Sequence, residues 1–332
     1  MPKRKHSSVP IVPTAAAALP RNEPAKGKKD GPKAVLWLQA TLRVNDNLIL
    51  NRAASLGTGG MDVCVVWRHG RKVPTPSASF MAAACRSLHD ELRKLGSGLT
   101  VLHALSDDDE SAAVAVAAHA AVLGVRSVVV DACETVGLAV ASLLEAALAR
   151  LDTATLVRVE ALTDDTLFPH AVAVSSLQPS RSEASDVKSL RWASFLKAAA
   201  QLSAPPPAAA PRRLPPSLTP PLVAAESLPL PVDSEWWGVP TLRGWLRISG
   251  VPISEVGALQ LAEAAGTRAC RNGRPGFSKA HLGERAGAGD DADGKAAPRP
   301  SYLSPFLRWG VLSARQAEAA GVRRRDLLWR DL

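Results

Sequence analysis

Ser304 and Pro305, late in a chain of 332 residues, form a step suited to a helix start, since serine is a good N-cap and proline fits the first helical position. A helix start presents N–H groups without intrahelical partners at the positive end of the helix dipole, so a phosphate or other anion can sit there. Ser301 and Leu303 belong to the same run, Ser301-Tyr302-Leu303-Ser304-Pro305-Phe306-Leu307-Arg308-Trp309-Gly310-Val311-Leu312-Ser313. Within it Gly310 closes one helix, and Ser313 with Gln316 fits a capping box for the next. A capped start alone also suits any helical bundle. From Arg299 to Leu332 there are seven Arg and three acids, a cluster suited to a phosphate-bearing partner or, equally, to a solvated face. At the other end, Arg43, Asp46 and Asn47 follow the first apolar run, where a doubly wound fold turns from strand to helix and places its ligand.

The elements that must position these groups are legible in the apolar pattern. Ala34 to Leu38, Met61 to Trp67, Leu99 to Leu105, Ser127 to Asp131 and Thr155 to Val159 are short runs, rich in Val and Leu and separated by amphipathic stretches. Such runs predict a parallel sheet covered on both faces, here a doubly wound five-stranded α/β domain over residues 33–165, of which Lys33 to about Ala161 is expected to fold alone. Ser106, followed by Asp107, Asp108, Asp109 and Glu110, reads as the cap of a helix that Gly124 ends. Residues 166–232 are rich in Pro and Ala and predict an interdomain linker with one short helix near Leu190 to Leu202. Helical patterning returns over 233–332, with Ser254 capping a helix through Ala265.

Composition narrows the function classes. Residues 1–32 lack periodicity and predict a disordered basic leader; through Lys33 the start of the chain holds eight Lys or Arg against two acids, most of the net charge of +9. Pro2-Lys3-Arg4-Lys5 is similar to a nuclear-localisation cluster, and the scarcity of acids also suits a chloroplast or mitochondrial transit peptide. No apolar run approaches the roughly 20 residues of a membrane span. Cys64, Cys85, Cys133 and Cys270 show no C-x-x-C pairing, which predicts reduced cysteines in an intracellular protein. Neither a G-x-S-x-G elbow, a Walker A loop, an H-E-x-x-H pair nor a G-x-G-x-x-G turn is present, and the seven histidines have no metal spacing.

Three stretches together resemble the DNA photolyase and cryptochrome family. The run from Ser301 to Ser313 is similar to the family's flavin-phosphate pattern, T-S-x-L-S-P-Y-L-x-F-G-x-L-S. Val35-Leu36-Trp37-Leu38-Gln39-Ala40-Thr41-Leu42-Arg43-Val44-Asn45-Asp46-Asn47 resembles the opening strand and loop, W-F-R-R-D-L-R-L-H-D-N, and departs from it at Gln39, Ala40 and Thr41. Asp326-Leu327-Leu328-Trp329-Arg330-Asp331-Leu332 resembles E-L-I-W-R-E-F, which in the family lines the cavity for flavin and damaged base. The matches fall in family order.

The resemblance implies an antenna-type α/β domain followed by a partial all-α FAD-binding domain, because the family's flavin domain continues beyond the position of Leu332. It implies FAD as cofactor, with Ser301, Leu303, Ser304 and Arg330 in its binding site and the hydroxyls of Ser301 and Ser304 at its pyrophosphate, and an antenna chromophore of folate or deazaflavin type. It implies DNA as partner, with Trp329 stacking on a damaged pyrimidine and Asp326 bonding its edge; a Trp on an apolar helix face is otherwise a core residue. Arg43, Asp46 and Asn47 are expected to organise the junction between domains, with direct ligand contact as the other reading. No metal is implied, since the four cysteines of the family's iron–sulfur proteins are not matched. The activity implied is light-driven repair of pyrimidine dimers by electron transfer from reduced FAD. The alternatives are a cryptochrome-type photoreceptor and a non-catalytic nucleotide- or chromophore-binding module.

Overall fold

Each of the five apolar runs forms a strand in the computed structural model, which describes residues 31–68, 75–132, 137–151, 157–164, 202–219, 252–272, 303–324 and 327. The strands are β1 (Lys33–Leu38), β2 (Gly60–Arg68), β3 (Leu99–Ala104), β4 (Ser127–Asp131) and β5 (Arg158–Leu162). They alternate with helices α1 (Leu48–Leu56), α2 (Thr75–Lys94), α3 (Asp109–Leu123) and α4 (Gly137–Arg150). All pairings are parallel in the order β3-β2-β1-β4-β5, so the expected doubly wound α/β sheet is present, with its order reversing between β1 and β4.

Parallel strands need both faces covered, and β1 shows why its run is apolar without alternation. Leu36 and Leu38 enter a core with Ile49, Leu50 and Ala53 of α1 and Phe80, Leu88 and Leu92 of α2. Val35 and Trp37 enter a second core on the opposite face, with Val116 and Ala120 of α3 and Val140 and Leu144 of α4. The first core continues beyond the sheet into three later helices, α5 (Glu255–Asn272), α6 (Ser304–Arg308) and α7 (Ala314–Ala319). Phe306 of α6 meets Phe80 of α2 edge-to-face, with centroids 5.1 Å apart and planes at 84°. Such a pair is worth about 0.5–1.5 kcal/mol beyond the area it buries.

Several element ends differ from expectation. β5 runs from Arg158 to Leu162 instead of ending at Val159, because the register of β4 pairs Ser127 with Arg158 and Asp131 with Leu162. α3 is capped by Asp108, whose carboxylate accepts the Ser111 N–H at 2.6 Å, while Ser106 donates its hydroxyl to that same carboxylate. A carboxylate is the stronger cap at a helix dipole. Gly124 then closes α3 in the left-handed region (φ 59°). α5 is preceded by Ser254, whose hydroxyl accepts the Gly257 N–H at 3.1 Å as expected of its cap, and runs through Gly266 to Asn272 instead of stopping at Ala265. A lone glycine weakens a helix without ending it.

Residues 202–219, part of the expected linker, form a strap that reaches the turn before β3 at Leu95 and the start of β2 at Met61. Prolines suit it, since they need no donor partner and favour extended backbone. Its start is held by Arg324, which donates to the Leu202 carbonyl at 2.7 Å. Leu214 donates its N–H to the Leu95 carbonyl and buries its side chain in the first core, whereas Leu218 packs on the second. Between them, Met61 N–H donates to the Pro216 carbonyl at 3.0 Å. Ser217 and Thr219 give their hydroxyls to Asp62, which also pairs with His119 of α3 at 2.7 Å. Residues 1–30 of the leader, the short helix near Leu190 and the Pro-rich residues 220–232 lie outside the described residues.

Candidate functional site

The loop leaving β1 is short of apolar residues and rich in groups that must find partners, and it meets them where the sheet touches α5, α6 and α7. Arg43 is 1% exposed. Its Nε donates to the Asp46 carbonyl at 3.0 Å, its Nη1 to the Gly310 carbonyl at 3.0 Å, and its Nη2 to the carbonyl and carboxylate of Asp164 at 2.8 and 3.1 Å. Asp46, which adopts a positive φ of 50°, offers its carboxylate to the Ala208 N–H, to the Ser313 hydroxyl and to Arg315 Nε at 3.0 Å. Arg315 reaches on with Nη2 to the second oxygen of Asp164. Two guanidinium groups and two carboxylates thus close a buried ring that joins the β1 loop, the segment after β5, the strap and α7.

Asn47 completes the loop by capping α1: its side chain accepts the Leu50 N–H at 2.8 Å and donates to the Arg43 carbonyl at 2.8 Å. Glu255, the first residue of α5, accepts N–H groups from Val44 and Asn45 and the Asn45 amide. Burial pushes the Glu255 carboxyl above its ordinary range, against the pull of those donors. Burial acts the same way on Asp164, opposed by Arg43 and then Arg315. Arg315 is held firmly charged: burial weakens the charge, and Asp164 and Asp46 more than restore it. In such a site the charges fix geometry more than they add stability, because desolvation offsets much of their attraction.

Of the two helix starts in the phosphate-like segment, that of α7 sits directly on this ring, through the Ser313 hydroxyl on Asp46. α7 has the full capping box, with Ser313 accepting the Gln316 N–H and Gln316 Oε1 accepting the Ser313 N–H, both at 2.9 Å. α6 departs from expectation. Its cap position is Leu303, already helical at φ −78° and ψ −23° and without a side-chain cap bond, and Ser304 is the first helical residue. The buried Leu303 side chain pins the start one residue early. Ser304 is exposed, so its hydroxyl faces solvent beside N–H groups that no capping side chain covers. Between the two helices Gly310 holds φ 60°, and a Cβ there would lie 1.8 Å from the Ala40 carbonyl oxygen. Ser301, Asp326, Trp329 and Arg330 lie outside the described residues.

Glu255, Asp164 and Arg315 were not signalled by any motif in the sequence. Asp164 stands in an acidic doublet just after β5, the one local hint that a carboxylate is wanted at that strand end.

The family model described as DNA photolyase matches residues 34–206, half of the chain. The chain belongs to the DNA photolyase family. A comparison with curated proteins gives no match. Among solved structures, the DNA photolyase fold is shared with a bacterial class III photolyase from Agrobacterium tumefaciens, at TM-score 0.59 and 19% identity, covering 96% of this chain and 59% of that one. An archaeal photolyase from Sulfolobus tokodaii, whose crystal structure holds two FAD molecules, gives TM-score 0.57 and 17% identity over 90% of this chain and 58% of its own. This DNA photolyase-family chain therefore spans under two thirds of the length of either structure.

Proposed function

We propose that this protein is a photolyase/cryptochrome-type flavoprotein whose task is light-driven repair of pyrimidine dimers in DNA. The observation that carries the reading is the start of α6: Ser304 is exposed at its first position, no side chain caps the helix, and Arg43 and Leu42 fasten the following turn to the sheet through Gly310 and Trp309. That arrangement fits the phosphates of FAD. Ser304 would hold a phosphate oxygen by its hydroxyl, and Leu303, buried beneath, keeps the helix start from shifting. The chemistry supplied by bound FAD is the reversible donation of an electron to the dimer under blue light. Trp329 and Asp326 are the residues proposed to meet the damaged base, one by stacking and one at the base edge. An antenna chromophore of folate or deazaflavin type would accompany the α/β domain.

Absorbance of the purified protein tests the cofactor, and irradiation with a dimer-containing oligonucleotide tests the reaction. The expected result is a flavin spectrum that Ser304→Asp abolishes, since a carboxylate there repels phosphate, together with light-dependent loss of dimers. A flavin-loaded protein that leaves dimers intact under light supports the photoreceptor role instead. Flavin-free protein, or equal loading of Ser304→Asp, overturns the cofactor assignment.

A further inference from the structure

The sheet reverses its order between β1 and β4, and in doubly wound folds the crevice beyond the carboxyl ends of those two strands is where a ligand sits. Here that point is already filled. Three successive N–H groups after β1, those of Gln39, Ala40 and Thr41, converge on one oxygen, Asp131 Oδ2, at 3.0, 2.7 and 2.9 Å. The Thr41 hydroxyl adds a fourth bond to that oxygen at 2.7 Å, and Gln39 Nε2 holds the Asp131 carbonyl at 2.9 Å. Consecutive backbone N–H groups aimed at one negative oxygen make an anion nest, the device by which loops cradle phosphates. Asp131 is 1% exposed and Thr41 is fully buried.

The departures of this chain from the family's opening motif fall on these residues. Where the motif has two Arg-like residues and Asp, this chain has Gln39, Ala40 and Thr41. An Asp at position 41 would set a second carboxylate against Asp131, whereas Thr41 donates to it. Nor can the loop open freely, because Gly310 packs on the Ala40 carbonyl and Leu42 N–H donates to the Trp309 carbonyl at 3.1 Å.

We propose that residues 39–41 form an anion-binding nest whose resident anion is the chain's own Asp131 carboxylate. The switch-point crevice is thereby closed to phosphate and to any cofactor that would be held there by one. An antenna chromophore reaching this crevice must be bound without a phosphate in the nest. Removing the carboxylate leaves the four donors unsatisfied and turns the nest into an acceptor for inorganic phosphate. The inference does not depend on whether the chain carries FAD, since it concerns a separate site on the sheet.

The test compares thermal unfolding of the full chain in sodium phosphate and in sodium chloride at matched ionic strength. The proteins are the wild type, Asp131→Ala, Asp131→Asn and Glu145→Ala, the last removing an exposed carboxylate elsewhere to control for net charge. Asp131→Ala is expected to gain apparent phosphate affinity by about tenfold over wild type, the equivalent of one charge-assisted hydrogen bond. Adding Thr41→Val to Asp131→Ala should remove most of that gain. Glu145→Ala and the isosteric Asp131→Asn should behave as wild type towards phosphate. If Asp131→Ala does not fold in chloride, phosphate should restore its refolding yield and chloride should not. A phosphate response no larger than that of Glu145→Ala, or an unfolded variant that phosphate fails to rescue, overturns the proposal. So does a wild type whose Gln39, Ala40 and Thr41 amide resonances shift on adding phosphate.

Discussion

Arg43 and Arg315 hold opposite oxygens of one buried carboxylate, that of Asp164, and so tie the loop after the first strand to the last described helix through a residue that belongs to neither. Both bonds run through buried groups, so losing the shared partner leaves two guanidinium groups against the single carboxylate of Asp46. That asymmetry sets the size of the first prediction.

Asp164→Ala is expected to destabilise the fold by about 3–5 kcal/mol, the usual cost of orphaning a buried pair. Arg43→Met combined with Asp164→Leu should cost less than Asp164→Ala alone, because no charge is left uncompensated. Urea unfolding of the three proteins measures this; a double variant as weak as the single one would show that the ring contributes attraction rather than geometry.

Gly310→Ala should be poorly tolerated for two independent reasons. A Cβ would collide with the Ala40 carbonyl at 1.8 Å, and the positive φ adds about 1–2 kcal/mol for any L side chain. The expected outcome is a loss above about 2 kcal/mol, with flavin retention falling as the α6 turn lifts from the sheet. Wild-type stability in Gly310→Ala would mean that the turn does not sit against this loop.

Thr41→Asp should unfold the wild-type background readily, since it sets two carboxylates in one nest, and Asp131→Asn should restore it. The coupling read from the double-mutant cycle is expected at about 1–3 kcal/mol, favouring the pair. Additive effects would mean that positions 41 and 131 do not interact.

Acid should loosen the strap before the sheet. Burial raises the Asp62 carboxyl, but the bonds from His119 and Thr219 outweigh it and leave its folded pKa below the ordinary value. A depressed pKa contributes stability above the unfolded value, about 3.9, and that contribution is lost as the pH falls through the folded value. The wild type should therefore lose stability below about pH 4 more steeply than Asp62→Asn. Proteolysis within residues 202–219 across that range reports the release directly; parallel curves for the two proteins would remove Asp62 from the account.

For the proposed repair role, Trp329→Ala should cost about 1–3 kcal/mol of preference for dimer-containing over intact DNA, leaving binding to intact DNA unchanged. Titrations at two salt concentrations separate this from phosphate contacts, which weaken steeply with salt on both DNAs. Equal losses on both DNAs would place Trp329 in the core.

The sheet was legible because both-face burial leaves its mark on the strands: β1 and β4 are apolar at every internal position, as strands covered on both faces must be, and amphipathic stretches separate them. The end of β5 was not, since its limits come from the register of β4 and not from its own residues. Ser106 was the expected cap of α3, and only the path of the chain puts Asp108 there instead. The junction was half legible. Arg43, Asp46 and Asn47 stood out by type and position, whereas Asp164, Arg315 and Glu255 acquire meaning only from residues more than a hundred positions away. Asp131 was read as the last residue of a strand, and nothing local tells that its carboxylate substitutes for a ligand.

The strap alters what counts as the smallest foldable piece. A cut after β5 keeps every strand and crossover helix, yet it strands the Met61 N–H without its Pro216 acceptor, empties the seat of Leu214 and takes the Ser217 and Thr219 hydroxyls from Asp62. A gene fragment designed to express the α/β half should therefore end after Thr219, and one that ends at Asp164 should accumulate as insoluble or protease-sensitive material.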